Sequence, residues 1–206
     1  MNENKQEGKT LLQNEQHIQN EQHTAADEQQ GSGNWQQISV EEAALDAFTF
    51  FSRSAVLSVG TETKMNCMTV SWGQVGTLWG NHRNVCTVYV RQSRYTKPLM
   101  DASETFTLES FAPEYARLVN GYLGRVSGRD EDKMAGSGLT LKRMANGAPA
   151  FEEGSIILEC RKLCAVDIEL SKMAPEVVEQ WYAQGGNAGD FHTQYIGEIT
   201  AVWVKK

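Results

Sequence analysis

The chain has 206 residues, of which 40% are hydrophobic, and it carries a formal net charge of −7. A chain of this length can bury one sizeable core, so the composition predicts one folded domain with additional segments. The acidic balance excludes a general nucleic-acid-binding or anionic-membrane-binding surface, because such surfaces need a basic face.

The N-terminal sequence has no apolar run of the length that a secretory signal or a membrane helix requires. We therefore expect a cytoplasmic protein with no membrane partner. The cysteines are too few and too scattered for a disulfide framework, and we expect them to be reduced and mostly buried. They are Cys67, Cys86, Cys160 and Cys164.

Residues 1–33 differ in composition from the remainder of the chain. Gln, Asn and Glu dominate this segment, it has no aromatic residue, and the sequence of residues 13–17 recurs at residues 19–23. Such a segment cannot bury enough apolar surface to offset the entropy lost on ordering. The composition predicts a disordered low-complexity tail over 1–33 and a folded domain over 34–206.

The folded domain reads as mainly β with a few peripheral helices. Short runs rich in β-branched residues, bounded by turn residues, predict strands at residues 55–60, 67–72, 85–91, 105–111, 156–168 and 191–204. Capping signals and Pro positions predict helices at residues 39–51, 113–123 and 175–182. Because strands follow one another through short turns, the pattern favours an antiparallel barrel over a doubly wound α/β sheet.

One window has an unusual charge distribution. Residues 63–100 contain no Asp or Glu, although the chain holds 26 acidic residues, and this window carries five basic residues. They are Lys64, Arg83, Arg91, Arg94 and Lys97. An acidic protein that keeps one region positive is expected to bind an anion there.

Residues 91–96 supply two guanidinium groups, two hydroxyl groups and the backbone amides of a predicted helix start with Ser93 as its N-cap. A phosphate monoester needs these donors, although a solvated strand end with ordinary capping fits the same pattern. In residues 66–72, small polar residues alternate on a strand that ends at Trp72, so its backbone is accessible to a flat heterocycle. Trp72 and Trp79 would then supply apolar walls. The alternative is that both tryptophans are core residues while Thr69 and Ser71 face water, and the pattern alone leaves both interpretations open.

Four signatures in the same order resemble those of the flavin reductase-like, FMN-binding split-barrel family, which includes flavoredoxins. They are Asn66-x-Met68-Thr69-x-Ser71-Trp72-Gly73, Arg91-x-Ser93-Arg94-Tyr95-Thr96, Ser127-Gly128-Arg129-Asp130-x-Asp132-Lys133 and His192-Thr193-Gln194-Tyr195-Ile196-Gly197-Glu198-Ile199. The resemblance covers about residues 35–204. Cys67 stands where Ala is usual, and Met134 stands where an aromatic residue is common.

The resemblance implies a six-stranded antiparallel Greek-key split barrel that forms a homodimer and binds FMN near the subunit interface. Residues 68–72 would line the flavin ring and ribityl chain, and residues 91–96 would hold the phosphate. The cofactor-binding residues implied are Asn66, Met68, Thr69, Val70, Ser71, Trp72, Arg91, Ser93, Arg94, Tyr95, Thr96 and Lys133. For Lys133, a surface ion pair with Asp130 or Asp132 is the alternative.

The implied activity is hydride transfer from NAD(P)H to the flavin, followed by electron transfer to a small-molecule or protein acceptor. His192 would lie beside the nicotinamide, or it would only cap the strand that it begins. The alternative function is an FMN-bound electron carrier with little NAD(P)H activity of its own. No metal site is expected, since Cys160 and Cys164 lack the further ligands of a zinc site.

Overall fold

The structure is a computed structural model that describes residues 34–43, 45–80 and 83–206. The predicted tail over 1–33 lies outside the described residues. The strands are β1 (Trp35–Ile38), β2 (Ala55–Gly60), β3 (Met65–Val70), β4 (Gly73–Thr77), β5 (Asn84–Arg91), β6 (Thr105–Phe111), β7 (Leu141–Arg143), β8 (Pro149–Phe151), β9 (Gly154–Asp167) and β10 (His192–Lys205). The helices are α1 (Ala47–Ser52), α2 (Thr96–Ala102), α3 (Ala116–Leu118), α4 (Lys133–Gly136) and α5 (Pro175–Trp181).

Over the described residues, the main sheet has eight strands, and all of its strand pairs are antiparallel. Its order is β3-β2-β6-β9-β10-β5-β4, and β1 also pairs with β10. A separate hairpin, β7 with β8, packs beside it. The predicted mainly β class is confirmed, and the sheet is that of a split barrel. Among the described residues, none of the helices has the length and apolarity that crossing a bilayer demands.

The predicted count of six strands is wrong. The main sheet adds β1 and β4, and the β7–β8 hairpin adds two more strands. Strand β4 has the sequence GQVGT and is mostly exposed, so it lacks the β-branched pattern that marks the other strands. Strands β7 and β8 have three residues each, which is too short for a periodic signal.

Two predicted helix starts are also wrong. Ser39 and Glu42 form the reciprocal hydrogen bonds of a capping box, but the chain continues into a turn. Helix α1 begins later, where the carboxylate of Asp46 accepts from the backbone amides of Phe48 and Thr49. Ser93 does not cap α2, because its donors bind an acid elsewhere and Tyr95 precedes that helix without a side-chain cap.

Gly197 of β10 allows the core residue Phe106 to pack against the strand backbone. Between Ile196 and Gly197 the β9–β10 register shifts, and a Cβ atom at Gly197 would lie 2.6 Å from Cζ of Phe106. Glycine at this position therefore leaves room for the ring of Phe106. Beside it, the Sγ atoms of the buried thiols of Cys86 and Cys160 lie 3.4 Å apart. Cys67, Cys86 and Cys160 are buried as predicted, whereas Cys164 is partly exposed.

A buried carboxyl group joins the β7–β8 hairpin to the main sheet. Glu109 is 0% exposed, accepts the backbone amide of Phe151 at 2.9 Å and accepts the hydroxyl of Ser58 at 3.2 Å. Burial raises the pKa of Glu109 from 4.5 to about 8, although both hydrogen bonds oppose that rise. The carboxyl group is therefore protonated at neutral pH in the folded protein.

This protonation predicts a specific pH dependence of stability. The unfolded chain releases the Glu109 proton near pH 4.5 and the folded chain near pH 8, so this stabilisation is complete below pH 4.5 and is lost as pH rises to 8. We expect the wild-type free energy of unfolding to fall between pH 6 and 8 by about 2 kcal/mol more than that of Glu109→Gln. Urea unfolding at both pH values measures the difference. Equal pH dependence would contradict the assignment.

Candidate functional site

In the part of the chain that the structure describes, strand β3 forms one edge of the main sheet, and its outer backbone groups have no partner strand. Asn66 on this strand is buried, and its Nδ2 donates to Oγ1 of Thr96 at 2.9 Å. Thr96 is the first residue of α2 and is also buried. This hydrogen bond holds the start of α2 against the free edge of β3.

Residues 124–129 approach the same edge very closely. The chain reaches them through consecutive helical turns, a 3-10 turn (Pro113–Tyr115), α3 and a π-helical turn (Val119–Leu123). A Cβ atom at Gly124 would lie 2.8 Å from Oγ1 of Thr69, and one at Gly128 would lie 2.5 Å from Oδ1 of Asn66. The approach therefore requires glycine at both positions.

A cavity of about 130 Å³ lies between β3, the residues before α2 and this loop. Among the described residues, four cationic side chains line it, those of Arg94, Arg125, Arg129 and Lys133, and no acidic side chain does. The other lining residues are Asn66, Met68, Thr69, Ser93, Tyr95, Thr96, Leu123, Gly124, Val126, Ser127 and Gly128. The structure therefore brings most of the predicted cofactor-binding residues together around one positive cavity.

The charges of this cavity are only partly compensated by the protein. Arg129 donates to the carbonyl of Ser93 at 2.9 Å, and Nζ of Lys133 donates to the carbonyl of Leu123 at 2.9 Å. Within the described part of the chain, the guanidinium groups of Arg94 and Arg125 have no hydrogen-bond or ion-pair acceptor. Donors that converge on a cavity without acids fit an anion, above all a phosphate group.

Lys133 is not the surface ion pair that the sequence left open as an alternative. The residue is buried, and Asp132 instead caps helix α4 by accepting from the backbone amides of Met134 and Ala135. Burial lowers the pKa of Lys133, and the positive charge of Arg94 adds to that lowering. A bound anion would oppose this lowering of the pKa, because its negative charge favours the protonated form of Lys133.

The structure places Arg91 outside the cavity. Its guanidinium is buried, donates to the carbonyls of Asp190 and Trp181, and lies 5.2 Å from the ring centre of Tyr182. Ser93 lines the cavity, but its amide and hydroxyl donate to the carboxylate of Asp190. Of the two arginines that were predicted to hold the phosphate, only Arg94 lines the cavity.

A second group of side chains, the aromatic cluster, lies at the end of β3 and the start of β10. The ring centre of Trp72 lies 4.7 Å from that of His192 and 5.2 Å from that of Trp181. The hydroxyl of Tyr182 lies 2.7 Å from Nδ1 of His192. Trp72 and Trp181 remain partly exposed, so the cluster presents apolar ring surface to solvent.

His192 is held as a neutral ring. Burial lowers the pKa of His192 to about 4, the charges of Arg91 and Arg94 contribute to the lowering, and Asp190 opposes it. Burial also raises the pKa of Tyr182, so the phenol keeps its proton. We therefore assign Tyr182 as the donor to Nδ1, which leaves the imidazole hydrogen on Nε2.

Some residues of these two groups did not follow from the sequence patterns. Arg125, Trp181 and Tyr182 were not predicted site residues. The signal for Arg125 is nevertheless present, because residues 115–129 form a second acid-free stretch that contains Arg117, Arg125 and Arg129. The remaining predicted residues, Val70 and Ser71, lie where β3 ends, between the cavity and the aromatic cluster.

The family model described as "Flavin reductase like domain" matches residues 49–206. The chain therefore belongs to the flavin reductase-like family, as its four sequence signatures predicted. A comparison with curated protein sequences finds no match.

Solved structures with the same fold include a flavoredoxin and flavin reductase-like proteins. Flavoredoxin of Desulfovibrio vulgaris (Miyazaki F) is 24% identical with a TM-score of 0.56, over 74% of this chain and 69% of that one. An FMN-binding domain of a flavin reductases-like enzyme from Shewanella baltica is 17% identical with a TM-score of 0.59, over 84% and 78%. An NADH:FAD oxidoreductase from Streptomyces globisporus is 13% identical with a TM-score of 0.53, over 72% and 73%.

The protonation state of His192 can be measured directly. We expect its imidazole to titrate near pH 4, because burial and the neighbouring arginines disfavour the charged form. Nuclear magnetic resonance of histidine-labelled protein follows the titration, and the His192→Gln variant assigns the signal by its loss. Titration of His192 near its ordinary value of 6.5 would contradict this environment.

Proposed function

We propose that this protein binds FMN and transfers hydride from NAD(P)H to it. The observation that carries the proposal is the acid-free cavity lined by four cations, two of which have no acceptor among the described residues. Its chemistry suits the phosphate of a flavin mononucleotide, which brings two negative charges and several acceptor oxygens to one point. Arg94, Arg125 and Lys133 supply the charges, and Thr96 holds Asn66 at the cavity wall.

The ribityl chain and ring would follow β3 from the cavity towards Trp72. Met68 and Thr69 line the cavity, and Val70 ends the strand. Because β3 is an edge strand, its free backbone amides and carbonyls can bind the polar edge of a flat heterocycle. The partly exposed ring of Trp72 then provides an apolar wall at the far end.

When bound, FMN supplies the two-electron chemistry, and the protein supplies binding, orientation and electrostatics. The residues of the aromatic cluster would orient the nicotinamide that donates the hydride. His192 is buried against Trp72, so the partly exposed ring of Trp72 is the surface left for a nicotinamide ring, and a hydrogen bond from Tyr182 fixes the orientation of the neutral imidazole. Since the imidazole carries no positive charge, it does not repel the cationic nicotinamide product.

The proposal includes a homodimer and an electron acceptor that is a small molecule or another protein. Support for a partner comes from an apolar groove of about 760 Å³ beside α1, which Phe50, Phe111 and Pro113 help to line. Ser54, which also lines this groove, lies 3.2 Å from Ser71 through their hydroxyl oxygens. The groove therefore adjoins the end of β3, where the flavin ring is proposed to lie.

Removing Arg94 and Arg125, the two cations for which the described residues supply no acceptor, tests the phosphate assignment. We expect Arg94→Ala combined with Arg125→Ala to weaken FMN binding about a hundredfold, since each charge-assisted hydrogen bond contributes about 1.5 kcal/mol. Fluorescence titration of FMN measures the dissociation constant. Arg117→Ala is the matched control, because Arg117 is exposed on the preceding helix α3 and lies outside the cavity. Equal FMN affinity in the double variant and the control would remove the assignment.

Anaerobic mixing with NADH and with NADPH tests the hydride transfer. We expect the flavin absorbance of the FMN-loaded protein to bleach promptly with at least one donor, because the aromatic cluster leaves a surface for a nicotinamide. Stopped-flow absorbance follows the reduction. A protein that binds FMN but is bleached by neither donor would instead be an electron carrier.

A further inference from the structure

The loop before β10 binds the turn that follows β5. One carboxylate oxygen of Asp190 accepts the backbone amide of Ser93 at 2.9 Å, and the other accepts the Ser93 hydroxyl at 2.6 Å. The backbone carbonyl of Asp190 accepts Nη1 of Arg91 at 2.7 Å. The amide of Gln92 donates to the carbonyl of Phe191 at 3.1 Å. Three successive residues of the turn are thus held by two residues of the loop.

The same turn forms one wall of the anion cavity. The residue after Ser93 is Arg94, whose backbone amide donates to the carbonyl of Arg91 at 3.1 Å. Arg129 reaches across the cavity to the carbonyl of Ser93. The position of the Arg94 guanidinium therefore depends on a turn whose outer side is bound by Asp190, and Asp190 does not line the cavity itself.

The turn also contacts the aromatic cluster. Arg91 donates to the carbonyl of Trp181 and lies over the ring of Tyr182, whose hydroxyl is bonded to His192. Asp190 thus lies between the charged cavity and the aromatic cluster. Its carboxylate binds Ser93, which lines the cavity, and its carbonyl binds Arg91, which contacts the aromatic cluster.

We propose that Asp190 is a positioning residue that holds the turn of residues 91–95 so that Arg94 lines the phosphate cavity. This inference rests on the proposed function. The opposite role, in which the carboxylate competes with the phosphate for Ser93, is disfavoured by the cavity itself. Arg94, Arg125 and Lys133 line it while both Ser93 donors are bound to Asp190.

Two substitutions separate the hydrogen bonds of Asp190 from its charge. Asp190→Ala removes the side-chain hydrogen bonds and the negative charge together. Asp190→Asn keeps an oxygen that can accept the Ser93 amide and an amino group that can donate to the Ser93 hydroxyl, while it removes a negative charge near the phosphate. A positioning role therefore predicts loss of FMN affinity in the alanine variant and recovery in the asparagine variant.

We expect Asp190→Ala to weaken FMN binding about tenfold, as loss of two hydrogen bonds to a charged group at an exposed site implies. We expect Asp190→Asn to bind FMN at least as tightly as the wild type. Asp167→Ala is the matched control, because Asp167 binds Gln92 of the same turn but neither Ser93 nor Arg91, and its FMN affinity should equal that of the wild type. Fluorescence titration gives the dissociation constants, and circular dichroism with thermal unfolding verifies that each variant is folded.

The outcomes are distinct. Weaker binding only in the folded Asp190→Ala variant supports positioning. Tighter binding in Asp190→Ala would show competition with the phosphate, and unchanged binding would show no role, so either result overturns the inference while the proposed function stands. Equal weakening in Asp190→Ala and Asp190→Asn would make the charge decisive, which also overturns it. If wild-type protein fails to bind FMN, the proposed function and this inference both fail.

Discussion

The close approach of residues 124–129 to strand β3 is the constraint on which the candidate site depends. Gly124 and Gly128 lie where any Cβ atom would collide with Thr69 or Asn66. Because the loop lies this close, Arg125 and Arg129 share one cavity with Arg94 and Lys133, which other parts of the chain supply. A larger residue at either glycine would force the loop or the side chains that it contacts to shift.

The cations of the cavity also affect the aromatic cluster. Burial is the largest cause of the lowered pKa values of Lys133 and His192. The positive charge of Arg94 lowers both pKa values further. Burial is the main reason that the imidazole is neutral, and the positive charges that would attract a phosphate add to this effect. Arg91 contributes to this effect while its guanidinium is bound to the carbonyls of Asp190 and Trp181. The phosphate half and the nicotinamide half of the proposed site are thus electrostatically linked.

The sequence predicted much of the fold and part of the site. Strand β6 has the predicted bounds, because alternation in a buried strand is a strong signal. The acid-free window identified Arg94, but it also included Arg91, since proximity in sequence does not show which way a side chain points at a strand end. Asp190 and Tyr182 were not predicted, because their roles depend on contacts between residues far apart in the chain. The capping box at Ser39 formed without a helix because Asp46 provides the cap that is used.

The central claim is that the cation-lined cavity recognises the phosphate of a flavin. Comparing the dissociation constants of FMN and riboflavin, which differ only in that phosphate, tests it most directly. The account predicts that FMN binds at least about a hundredfold more tightly and that this advantage shrinks as salt is added. Equal affinity for the two flavins would show that the cavity does not hold the phosphate.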